Sequence, residues 1–98
     1  MPEAGVRPGE VREFCTWQWH ADLVPQISEY IRVPAKSPAY DPDWETHGHL
    51  LQVADDAAAW LRSRGMAGVE VLTEPGRTPL LIFDTPGRGA RRDETVLF

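Results

Sequence analysis

Cys15 is the only thiol in this 98-residue chain. A single cysteine excludes an intramolecular disulfide and a cysteine-rich zinc site, and it suits a reducing compartment. Long apolar runs are missing too: no stretch approaches the roughly 18 consecutive apolar residues that a membrane span requires. The opening Met-Pro-Glu-Ala-Gly-Val-Arg-Pro-Gly has no apolar h-region. Positive charge is in deficit, with 10 Lys and Arg against 15 Asp and Glu and a formal net charge of -5. Nucleic-acid binding needs a concentrated basic face, and this balance argues against one. Arg88, Arg91 and Arg92 do not restore it, because Asp93 and Glu94 flank them in a glycine-containing segment that reads as a solvated loop. The expectation is a soluble cytoplasmic protein with neither nucleic acid nor membrane as a partner.

What is present is 42% hydrophobic residues and four tryptophans, enough for one small domain and too little for two. Residues 1–9 carry two prolines and two glycines and read as a flexible lead-in to a domain over 10–98. From Glu10 to Val33 the pattern is helical, with Leu23, Ile27, Tyr30 and Ile31 recurring on one face. Pro25 interrupts it, which leaves two alternatives: a helix capped by Asp22 and preceded by a separate helical piece, or one long kinked helix. Three prolines in "VPAKSPAYDPDW" then break the helix. Asp41 followed by Pro42 predicts the start of a second helix, whose stripe is Trp44, His47, Leu50, Leu51, Ala54, Ala57, Ala58 and Leu61 and whose stop is Gly65.

Beyond Gly65 the period becomes extended. Residues 69–72 and 79–84 predict two strands around the turn "TEPGRT", and "TPGRGARRDE" predicts a loop. Thr95-Val96-Leu97-Phe98 predicts the beginning of a third strand. The expected fold class is α/β, two helices packed on a short three-stranded sheet, with the core between the Leu50–Leu61 stripe and the strand Leu80–Phe83.

Candidate chemistry is sparse. His47 and His49, with Asp55 and Asp56 downstream, invite a metal reading. On one continuous helix, however, residues two apart point about 200° from each other, so His47 should pack on the helix stripe and His49 face solvent without sharing an ion. Cys15 and His20 as nucleophile and base would stand about 140° apart with no third group to orient them. "EPGR" and "TPGRG" lack the spacing of a phosphate loop before a helix. Trp17 and Trp19 read as covering a core or an interface. No catalytic, cofactor-binding or metal-ligating residue is assigned.

In order, "ISEYIRVPAKSPAYDPDW", "WLRSRG", "PGRTPLLIFDTPG" and "ETVLF" resemble the N-terminal segment of a zinc-dependent metallopeptidase family. That family contains carnosinases, cytosolic non-specific dipeptidases, glutamate carboxypeptidases, succinyl-diaminopimelate desuccinylase and acetylornithine deacetylase. The resemblance covers about Leu23 to Phe98, and Tyr40-Asp41-Pro42 with Trp44 points to its dipeptidase-like branch. It implies the first part of an α/β/α zinc-hydrolase catalytic domain, substrates that are peptides or N-acyl amino acids, and a centre of two zinc ions. In the family the strand corresponding to Thr95–Phe98 runs into a Gly-His-x-Asp motif that carries the first zinc ligand. The remaining ligands and the dimerisation domain also lie further on, so this chain is expected to hold no cofactor by itself. Two other readings are a free-standing small α/β interaction module and a non-functional truncated product.

Overall fold

Proline opens the first helix. The computed structural model describes Gly5 and residues 7–98, and α1 spans Pro8–Gln18 with Pro8 in its first turn. Proline suits that place because its φ is already helical and its missing N–H would have had no partner there. Pro8 and Gly9 are therefore helical rather than lead-in, while residues 1–4 and 6 of that expected lead-in lie outside the described residues.

α1 runs without a break into a π-helical turn, Trp19–Leu23, and then into α2, Val24–Arg32. Of the two readings of Pro25, the structure has the continuous run: α1, the π turn and α2 follow one another without a gap. Asp22 lies inside the π turn, and the N-cap position of α2 is Leu23. The wide turn is the physical answer to the proline. Pro25 has no N–H to donate and its ring crowds the carbonyl one turn earlier, while the Val24 N–H reaches back five residues to the Trp19 carbonyl and widens that turn. α2 ends where Val33 turns extended, with φ -76° and ψ 122°, as the residue before Pro34 must.

The contacts within the chain form two units, Met1–Pro34 and Ala35–Phe98. The first unit is the helical run just described. None of its three helical segments contains a buried residue.

The second unit holds α3, Trp44–His47, then α4, His49–Ser63, and an antiparallel hairpin of β1, Ala67–Glu74, and β2, Arg77–Asp84. One helix was expected where α3 and α4 stand. Gly48 divides them by adopting φ 72°, a left-handed conformation that glycine enters without steric cost. α4 ends as expected at Gly65. The Met66 N–H bonds to the Leu61 carbonyl and the Gly65 N–H to the Arg62 carbonyl, with Gly65 at φ 77°, which is a Schellman closure.

The hairpin turn is tighter than the six residues assigned to it. Glu74 pairs with Arg77, so only Pro75 and Gly76 are left to turn, and proline followed by a glycine at φ 77° suits a type II turn. Both strands are longer than expected, and each takes one extra residue: at Gly68–Val69 in β1 and at Thr78–Pro79 in β2 the register shifts. Gly68 supplies the positive φ of 63° for the first bulge. The second falls at Pro79, which cannot donate to a ladder.

α4 packs on both strands. Val69, Val71, Pro79 and Leu81 are half-buried, whereas Leu72, Leu80 and Ile82, on the opposite face by strand alternation, are exposed. The expected core of Leu80–Phe83 is therefore corrected: a hairpin has two faces, one helix layer covers one of them, and Phe83 is exposed as well. Full burial among the described residues is confined to Ala58, at 0% exposure, and Leu61, at 8%. Leu51, assigned to the stripe, is exposed. The third strand is also corrected. Thr95–Phe98 has no ladder partner, Val96, Leu97 and Phe98 are exposed, and the sheet has two strands. β-propensity alone makes no strand without an edge to pair with.

No helix among the described residues is long and apolar enough to cross a membrane.

Candidate functional site: an Asp–His–His corner

The segment between Ser37 and His49 is folded by short-range hydrogen bonds. The Ser37 carbonyl accepts from the Tyr40 and Asp41 N–H groups at 2.9 and 3.0 Å. Asp41 then organises the entry to α3: its Oδ1 accepts from the Asp43 N–H at 3.2 Å, and its carbonyl accepts from the Trp44 N–H at 3.2 Å. This is an Asx-type turn, not the helix cap expected of Asp41. One carboxylate oxygen remains, and it turns to the far end of α3.

There the Nδ1–H of His47 donates to Asp41 Oδ2 at 2.7 Å. Asp41 is well covered, with its side chain 14% exposed, while His47 is 48% exposed. The hydrogen bond to His47, followed by the imidazole's positive charge, holds the Asp41 carboxyl below the ordinary carboxylate value. The same hydrogen bond, followed by the Asp41 charge, raises His47 above the ordinary imidazole value. A carboxylate on Nδ1 fixes the neutral imidazole in the tautomer whose Nε2 carries the lone pair.

Gly48 brings a second ring to this corner. The rings of His47 and His49 lie 5.7 Å apart between centroids and are inclined by 36°. The expected divergence of about 200° assumed one unbroken helix, and the left-handed Gly48 removes that premise. Their environments are also reversed from expectation: His47 is exposed and His49 half-buried. α3 is tied to the hairpin as well, since the Gly76 N–H donates to Glu45 Oε2 at 3.2 Å.

The other candidates stay apart from this corner. Asp55 and Asp56 are exposed on α4. Cys15 is an exposed free thiol on α1, and His20 is exposed in the π turn. Trp17 and Trp19 are exposed on the helical run. Arg91 pairs with Glu94 at 2.7 Å in the loop after β2. Among the described residues no group of three or more His, Cys, Asp and Glu converges as a metal cage would. Sequence reasoning missed the role of Asp41, although Asp-Pro-Asp before a helical turn and a glycine between two histidines were the signals for it. The chain matches no family model, and no curated protein matches it.

Proposed function

We propose that residues 10–98 are the N-terminal scaffold of a metal-dependent dipeptidase- or carboxypeptidase-like hydrolase of peptides or N-acyl amino acids. The metal ligands and the remaining layers of the catalytic domain would come from outside this segment. One structural observation supports the reading beside the sequence resemblance: apolar faces without a covering layer. Phe14, Trp17, Trp19, Ile27, Tyr30 and Ile31 are exposed on the helical run, and Leu72, Leu80, Ile82 and Phe83 on the hairpin. At about 25 cal/mol per Å2, leaving such area in water forfeits several kcal/mol, which is comparable with the whole stability of a small domain. A sheet with helices on both faces is the architecture that would cover them.

In such a hydrolase the metal ligands would lie outside these residues, and a metal centre there would supply Lewis-acid activation of water and of the amide carbonyl. His20, His47 and His49 do not supply that centre, since a catalytic zinc takes about three convergent protein ligands and an open position. Zinc calorimetry and dipeptide hydrolysis on residues 1–98 and on an in-frame extended chain test the proposal. Metal-dependent turnover is expected in the extended chain alone, with a Gly-His-x-Asp stretch next in frame. Turnover by residues 1–98 that a chelator abolishes, or an extension without that stretch, contradicts it.

A second reading is a free-standing interaction module, and the exposure of Trp17 and Trp19 favours it. Aromatic side chains standing in water are what a partner-binding surface presents. Sedimentation separates the two readings: the scaffold self-associates with rising concentration, whereas the module stays a monodisperse monomer.

A further inference from the structure

We propose that His47 and His49 form an exchangeable site for one divalent transition-metal ion, with Asp41 as the carboxylate that positions the His47 ring. This site is separate from the two-zinc centre discussed above and does not depend on that reading.

Three observations lead to it. The first is spacing. An imidazole nitrogen binds zinc at about 2.0–2.1 Å, which puts the ring centre about 3.2 Å from the ion and two such rings about 5 Å apart at a tetrahedral angle. The observed centroid separation of 5.7 Å is close to that value. The second is orientation. Histidines that ligate metals almost always donate their other ring N–H to a carboxylate or carbonyl, and His47 donates Nδ1–H to Asp41 Oδ2 at 2.7 Å, so Nε2 is the nitrogen left for an ion. The third is access. His47 is about half exposed, so an ion reaches the corner from solvent with water completing its coordination.

Imidazole donors suit zinc, copper and nickel, and the order of affinities places Cu2+ above Zn2+. With two protein ligands instead of the four of a structural zinc site, binding is weak, micromolar or weaker, and exchange is fast.

The experiment is a Zn2+ titration of the 98-residue chain followed by 1H–15N imidazole spectra, repeated with Cu2+ by calorimetry. His47 and His49 resonances are expected to move together to a one-ion endpoint, with zinc on Nε2 of His47 and Nδ1 still protonated, while His20 stays in place. His49→Gln should weaken binding at least about tenfold. Asp41→Asn keeps an oxygen for the Asp43 N–H but no carboxylate for His47, and should weaken binding about tenfold, the lower end for lost outer partners. Asp41→Glu should recover part of that loss. Zinc binding of unchanged affinity in a His47→Gln/His49→Gln double variant overturns the site. Independent titration of the two rings with different midpoints overturns the sharing of one ion. Unaltered affinity in Asp41→Asn overturns the positioning role. Amide spectra of each variant matching the parent's outside residues 41–49 show that the fold is intact when these results are read.

Discussion

The two units of this chain are held together in different ways. In the first unit the described helical run, residues 8–32, is organised by bonds between near neighbours, with Arg32 and Glu29 paired on its surface and no buried residue in its helices. Ala35–Phe98 brings distant residues together: α4 lies on a hairpin, Ala58 and Leu61 are buried, and Arg62 Nη2 donates to the Val69 carbonyl at 3.0 Å. Helices are stabilised mainly by packing an apolar face, not by propensity. The second unit therefore packs a small core of its own, whereas the helices of the first unit bury no residue.

Truncating the small core should separate the two units most sharply. Leu61→Ala removes one of two buried side chains and should cost about 2 kcal/mol or more, seen as an earlier urea transition of the hairpin and α4. Helicity over 8–32 should stay unchanged. A simultaneous loss of both would mean that the units are one cooperative body.

The left-handed glycines come next. Gly65→Ala or Gly48→Ala places a side chain at φ 77° or 72°, with an expected cost of about 1–2 kcal/mol each. Neither faces a steric neighbour, so the strain comes from the backbone. Thermal unfolding measures both, and a neutral result at either position would show that the turn relaxes.

In the first unit Pro25→Ala restores an N–H and should replace the π turn at Trp19–Leu23 by regular α-helix, raising far-UV helicity. The unfolding free energy of the second unit should change by less than about 0.5 kcal/mol. A larger shift would mean that the helical run and the hairpin unit are energetically coupled.

The smallest expected effect is electrostatic. His47 is raised, so its contribution to stability is full below the ordinary value of 6.5 and disappears as pH rises through the raised one. Asp41 is lowered, so its contribution is full above 3.8 and disappears as pH falls through the lowered one. Metal-free protein should gain a little stability from the pair between those two values, and Asp41→Asn should flatten the profile.

The legible parts of the fold were those whose signals lie close together in the chain. The spacing of Leu50, Ala54, Ala57, Ala58 and Leu61 with Gly65 beyond it announced α4 and its closure, and Pro75-Gly76 between apolar runs announced the hairpin. The misread parts depend on conformation or on partners. Gly48 sits inside a pattern that stays periodic across it, so the break in the helix was hidden, and with it the meeting of His47 and His49. Asp41 looked like a cap because Pro42 follows it, but its two carboxylate oxygens go to the Asp43 N–H and to His47, six positions on. Thr95–Phe98 has the composition of a strand, but pairing is a non-local event that composition does not encode.

Hydrogen exchange resolved by residue probes the contrast between the two units at its root. Slow amides are expected in α4 around Ala58 and Leu61 and along the β1–β2 ladder, with amides of Pro8–Arg32 exchanging faster by orders of magnitude. Equal protection of Ile27–Ile31 and Ala57–Leu61 would contradict it.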